Sequence, residues 1–547
     1  MDKTTSSSRP KLSRRSVLRG FALSAGSLVS LGALRNSGFA ANNAPEGVTA
    51  VTNTGKVRGY IDNGIQVFKG IPYGADTAPR RFMAPIPPAP WVGVRPALEF
   101  GPRAPQLRPP AHVSWGGTVA DPGGRVSEDC LYLNVWTPGV RDGGKRPVMV
   151  YFHGGAYVAH CANFPIYDGV NLCRRGDVVV VTLNHRLNAF GYLYLAELGG
   201  PEFADSGNVG QLDLILALKW VRDNISEFGG DPAQVLIFGQ SGGGGKVATL
   251  MAMPAGANLF HRAATSSGMA VSALQPEQAT RCAEAILTAL DLRFDEIDQL
   301  KTVSLDNLIE ASRAGQQFGP VVDGRNLSRA PFSPDAPSLS AHIPFMVGTN
   351  HDESRSLIGE SDLTLFCLTW ETLKQRLAPY AKRMGDVDRV IEFYRRLHPH
   401  YSASDVFFSA TTDSQNWRPA VLEVERRAAL PPGSAPTYSY ELQWGSPVDH
   451  GQWKACHGLD VPFMFDNVAL SHRMTGTGPD TYELATQMSE AYIAFARNGN
   501  PNNPRIPHWP NYDLAQRATL AFDVVPKVID DPRKEERIFF SKIEQSG

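Results

Sequence analysis

The sequence predicts an α/β protein built on a mostly parallel central sheet flanked by helices. Short apolar runs with strand character recur at residues 147–152, 177–183, 235–238 and 343–348. Between the second and third, residues 211–228 carry Leu212, Ile215, Leu216, Leu218 and Val221 at helical spacing. Strand, strand, helix and strand in that order is the pattern of parallel strands joined by helical crossovers. No boundary, repeat or low-complexity tract divides residues 42–547, so one domain with large loop and helix insertions is expected.

The N-terminal segment reads differently. Ser13-Arg14-Arg15-Ser16-Val17-Leu18-Arg19 is a twin-arginine pattern, followed by a weakly apolar stretch from Phe21 to Leu34 and by small residues at Ala40 and Ala41. That stretch is about fourteen residues long, short of the roughly 20 that a membrane-spanning helix needs. Residues 1–41 are therefore expected to be a cleaved signal, and the mature protein to be periplasmic in a bacterium. No other segment is long and apolar enough to span a membrane. Pro-rich 86–91 and 106–110 read as surface loops.

Composition narrows the partners. With 42% hydrophobic residues in 547, the chain can bury a large core. A net charge of −1 supplies no field favouring nucleic acid or an anionic membrane. The six cysteines, Cys130, Cys161, Cys173, Cys282, Cys367 and Cys456, show no Cys-x-x-Cys pair and no histidine cluster at zinc spacing, so no metal site is expected. Buried thiols are the expected state for most of them.

The most informative segment runs from Val235 to Leu250. An apolar strand leads into Gly239-Gln240-Ser241-Gly242-Gly243 and then a helix through Lys246-Val247-Ala248-Thr249-Leu250. Gly-x-Ser-x-Gly between strand and helix is the setting of a nucleophile elbow, which exposes a strained serine above the sheet edge. A phosphate-binding loop is the rival reading, because Gly243-Gly244-Gly245-Lys246 also follows a strand. It fails, since Gln240 and Val247 stand where that motif needs glycine and a hydroxyl residue.

A serine hydroxyl needs a base, and the base needs an orienting acid. Asp352 and Glu353 both follow the strand at 343–348. His457 lies in Cys456-His457-Gly458-Leu459-Asp460, where the glycine can help a loop present an imidazole. On composition, His398, His400, His450, His472 and His508 stand nearly level with it. His153-Gly154-Gly155-Ala156 follows the strand at 147–152 and has the form of an oxyanion-hole element, whose backbone N–H groups face developing charge.

With these motifs in order, the chain resembles the type-B carboxylesterase family of the α/β-hydrolase superfamily over roughly residues 50–525. The resemblance rests on Phe68-Lys69-Gly70-Ile71-Pro72-Tyr73, Ser127-Glu128-Asp129-Cys130-Leu131, His153-Gly154-Gly155-Ala156-Tyr157 and Asn184-His185-Arg186-Leu187. It continues in Asn208-Val209-Gly210, Phe228-Gly229-Gly230-Asp231-Pro232, the elbow, His351-Asp352-Glu353 and His457-Gly458. It implies a serine carboxylic-ester hydrolase acting on a small-molecule ester without a cofactor. The triad would be Ser241, Glu353 and His457, and the oxyanion donors the N–H groups of Gly155, Ala156 and Gly242. The family usually has Glu before and Ala after the nucleophile. Here Gln240 drops a charge, and Gly242 is expected to loosen the elbow. Ala104 stands where the family places the cysteine partner of Cys130, and no cysteine lies between Ser241 and Ser267 for the second family disulfide. A catalytically silent binding homologue is the alternative from another class, and the intact Ser, Glu and His set argues against it. Amidase or lactonase activity on the same scaffold is a further alternative.

Overall fold

The computed structural model describes residues 47–107, 125–315 and 317–544. The expected signal at 1–41 lies outside the described residues. The chain separates into two units, Met1–Ala44 and Pro45–Gly547, and every described residue belongs to the second.

Thirteen strands among the described residues form one sheet. They are β1 (Val48–Thr52), β2 (Gly55–Asp62), β3 (Ile65–Pro72), β4 (Val94–Pro96), β5 (Tyr132–Thr137), β6 (Arg146–Phe152) and β7 (Val179–Leu183), then β8 (Gly230–Gln240), β9 (Arg262–Ser266), β10 (Phe345–Asn350), β11 (Thr437–Leu442), β12 (Ala518–Phe522) and β13 (Lys527–Asp530). The spatial order is β1-β2-β3-β5-β7-β6-β8-β9-β10-β11-β12-β13, with β4 beside β2. From β7 to β12 every neighbour is parallel, while β1–β3, β5 and β13 add antiparallel edges. This is the mostly parallel sheet of the α/β-hydrolase fold.

The central strands read as unbroken apolar runs because both of their faces are covered. In β6, Val148, Val150 and Phe152 enter one core while Met149 and Tyr151 enter the other; in β8, Val235 and Ile237 oppose Leu236 and Phe238 in the same way. Helix α1 (Val209–Asn224) and the elbow helix α2 (Gly242–Leu250) fill the first core through Leu214, Leu218, Val221 and Val247. Helix α3 (Pro479–Asn498) fills the second through Leu484, Met488, Tyr492 and Phe495. Smaller satellite cores lie outside these two, the least of them formed by Tyr194, Ala279 and Val321. One is built around Phe82, Phe190 and Ile286, another around Leu373, Val390, Phe407 and Phe540.

The predicted elements shift only at their ends. The strand expected from 177 starts at Val179, the elbow strand reaches back to Gly230, and the helix expected over 211–228 is α-helical to Asn224 and then tightens to a 3-10 turn. No disulfide joins the cysteines, and all but Cys367 are buried. Cys130 and Ala104 lie in the same apolar core, so Cys130 packs as a small hydrophobe. Among the described residues no helix is long and apolar enough to cross a membrane, and no His/Cys/Asp/Glu group has the makings of a metal site.

Candidate active site

The predicted site residues converge from the carboxyl ends of parallel strands, the end at which open α/β sheets bind ligands. The loop with Gly155 and Ala156 leaves β6, Ser241 leaves β8, Glu353 follows β10, and the loop bearing His457 follows β11. β6 and β8 are hydrogen-bonded neighbours, with Phe152 opposite Gly239, so the first loop and the elbow start side by side.

Ser241 has φ 57° and ψ −130°, a conformation disfavoured for an L-residue and kept only where its surroundings enforce it. Its N–H donates to the Ser266 carbonyl at 2.8 Å, and its own carbonyl accepts from Gly245 N–H at 3.1 Å. The glycines make this turn possible by close approach. A Cβ on Gly243 would stand 1.9 Å from the Phe152 carbonyl oxygen, and one on Gly242 would stand 2.2 Å from that of Ala156. The elbow expected to be loosened by Gly242 is instead tight: the missing methyl is the space in which the Ala156 backbone lies.

The Gly155–Ala156 segment is left-handed at both residues, φ 79° and 50°. Neither N–H has a hydrogen-bond partner among the described residues, and that of Gly242 opens a helix, where the first-turn donors have no intrahelical acceptor.

Of the two acids, Glu353 reaches the histidine. Its buried carboxylate lies 2.6 Å from His457 Nδ1 and accepts the Asn350 N–H at 2.8 Å through its other oxygen. The Asp352 carboxylate points elsewhere, to His351 Nδ1 at 3.0 Å and towards Arg355. Among the rival histidines, His398 pairs with Glu536, while His400, His450, His472 and His508 are exposed. His153 is stacked on His185 at 4.7 Å, and burial holds both imidazoles well below their usual range.

Several neighbours carry weight that sequence reasoning did not assign. His457 Nε2 meets the side-chain amide nitrogen of Gln240 at 3.0 Å rather than the Ser241 hydroxyl. Asn350 Nδ2 donates to the Cys456 carbonyl at 2.6 Å, and Ser356 Oγ to the His457 carbonyl at 3.2 Å, tying the acid turn to the histidine loop. Asp460 is fully buried, hydrogen-bonded to Ser266 Oγ, and its carboxyl is pushed up to about 6, first by desolvation. Its place three residues after His457 is the only signal the sequence offers for it.

The Carboxylesterase family model matches residues 46–540. Para-nitrobenzyl esterase of Bacillus subtilis (strain 168) is 36% identical over 505 residues, covering 89% of this chain and 97% of the relative. Phenmedipham hydrolase of Pseudarthrobacter oxydans is 31% identical over 496 residues, covering 86% and 94%. Among solved structures, a Geobacillus stearothermophilus carboxylesterase superposes with TM-score 0.79 at 33% identity over 90% of this chain and 99% of its own. Every one of these relatives is similar across nearly its whole length, and the chain, a carboxylic-ester hydrolase, belongs to the carboxylesterase family.

Proposed function

We propose that the chain hydrolyses small-molecule carboxylic esters through an acyl-enzyme formed on Ser241. The observation that carries this reading is the 2.6 Å Glu353–His457 contact, with His457 Nε2 in turn against Gln240, the residue next to the serine. His457 Nε2 takes the Ser241 proton as Oγ bonds to the ester carbonyl carbon. Glu353 holds the Nδ1–H tautomer and stabilises the imidazolium. The carbonyl oxygen becomes an oxyanion facing the N–H groups of Gly155, Ala156 and Gly242. The imidazolium protonates the departing alkoxide, so the alcohol leaves and the acyl-enzyme remains. Water then repeats the sequence and releases the acid. For the first transfer the Gln240 amide must turn away from Nε2; serine–histidine contacts commonly tighten only when substrate is bound.

Ser241→Ala should lower kcat by several orders of magnitude, about 10⁴- to 10⁶-fold, with the fold retained. A fluorophosphonate should label the parent at Ser241 alone. Parent-level turnover in the alanine variant refutes the mechanism. A panel of esters varying in acyl length, charge and alcohol, para-nitrobenzyl esters included, then ranks substrates.

Residues 1–41 are proposed to export the protein by the twin-arginine route, on the strength of Arg14, Arg15 and the short apolar stretch behind them. Replacing both arginines by lysine should leave uncleaved precursor in the cytoplasm. Export unaffected by the double replacement refutes that assignment.

A further inference from the structure

Lys246 is buried in the elbow helix without the partner a buried cation normally has. Its side chain is inaccessible to solvent, and among the described residues no carboxylate pairs with it. Its Nζ donates to two backbone carbonyls, those of His153 at 3.1 Å and Ala156 at 2.9 Å, and lies 5.5 Å from the Tyr157 ring centroid. A buried lysine without a counter-charge is costly. Both of its bonds go to the one loop whose N–H groups are assigned to the oxyanion.

We propose that Lys246 is a positioning residue that clamps this loop onto the nucleophile helix and so aims the oxyanion donors. The inference rests on the proposed oxyanion role of that loop. Its geometry is specific. The anchored carbonyls at 153 and 156 flank the two peptide planes that carry the N–H groups of Gly155 and Ala156; each of those planes adjoins an anchored one, which restricts its rotation. Ala156 sits at φ 50°, which an L-residue adopts only under constraint, and the clamp acts on its own carbonyl. The glycine run Gly242–Gly245 is what lets the loop come within reach. A Cβ on Gly242 would meet the Ala156 backbone at 2.2 Å, and one on Gly245 would meet the Tyr157 hydroxyl at 2.9 Å. Desolvation brings the lysine down to about 7. The groups facing its charge are His153, His185 and His160, with the Tyr157 ring beside it. Amine and ammonium each keep two N–H bonds for two carbonyls, so the clamp holds in both forms.

The test compares two ligands on the parent, Lys246→Met and Lys246→Gln. One is a trifluoromethyl ketone, whose hemiketal oxygen occupies the oxyanion position. The other is the alcohol product, which does not. Methionine keeps the volume and removes the donors. It should lower kcat by about 10- to 1000-fold, up to the loss seen when an oxyanion donor is removed. Ketone affinity should fall by a comparable factor, with KM and product affinity little changed. Glutamine, one bond shorter, should show the same selective loss at several-fold. A folded methionine variant with parental kcat and ketone affinity overturns the proposal, as does an equal loss for both ligands. If the methionine variant does not fold, a parental ketone-to-product ratio in the glutamine variant overturns it, and a selective loss there supports it. A parent that binds the ketone no tighter than the product would refute the oxyanion reading itself.

Discussion

On the nucleophile side, Gly242 and Gly243 bring helix α2 against the backbone of the β6 loop, with no room for a methyl at either position. On the histidine side, the acid turn and the His457 loop are joined by side chains. Asn350 reaches the Cys456 carbonyl, Ser356 the His457 carbonyl, and Glu353 the imidazole itself. The first half is shaped by steric contact between backbones close in the sheet. The second is shaped by hydrogen bonds between residues about a hundred positions apart. Steric exclusion tolerates no substitution that adds atoms, whereas a hydrogen-bonded arrangement is sensitive to donor, acceptor and charge. The two halves should therefore fail in different ways.

Among substitutions of the residues that hold the two halves together, the largest effect is expected on the hydrogen-bonded side. Glu353→Gln should reduce kcat by about 10⁴-fold, the loss associated with an amide in place of a triad carboxylate. Asp352→Asn, one residue away but turned towards His351 and Arg355, should reduce it far less. Steady-state kinetics on one ester decides the matter, and the reverse ranking would exchange the roles of the two acids.

An intermediate effect is expected on the steric side. Gly242→Ala places a methyl 2.2 Å from the Ala156 oxygen and 2.4 Å from its Cα, so loop and helix must part. Displacement of reacting groups by about 1 Å costs on the order of 10²-fold in rate. The loss should fall on kcat with KM nearly constant. A parental kcat would mean that the loop absorbs the methyl without moving its donors, and the contrast between the two halves would collapse.

The smallest effect lies where the halves meet. Gln240 ends β8, yet its amide contacts His457 Nε2 across the site. Gln240→Glu puts a negative charge beside the imidazole and favours its protonated form. Since the base must be neutral to accept the serine proton, the acid limb of kcat/KM should move to higher pH, on the order of one unit. The maximal rate should change only modestly. An unmoved limb in the pH–rate profile would place the carboxylate away from the imidazole and leave Gln240 as a spectator.

The same contrast sorts what could be read along the chain. The elbow, the His-Gly-Gly-Ala loop and the central strands are local patterns. A strand buried on both faces must be apolar throughout, and a turn that admits no Cβ must be glycine, so the constraint is written where it acts. The choice of Glu353 over Asp352, and of His457 over five other histidines, came into view only through family resemblance. Nothing within a few residues of an acid or an imidazole says which way it points.

Sequence was thus sufficient for the sheet class, for Ser241 on its turn, and for the set of residues from which an acid and a base would be drawn. Folding settled which carboxylate meets His457. It also set Gln240 against Nε2, buried Asp460 beside Ser266, and turned Lys246 under the loop of Gly155 and Ala156. Those relations join residues between 90 and 217 positions apart, brought together by the order in which β6, β8, β10 and β11 lie in the sheet. Strand order is a property of the whole packed core. It is not carried by any window of sequence short enough to show a pattern.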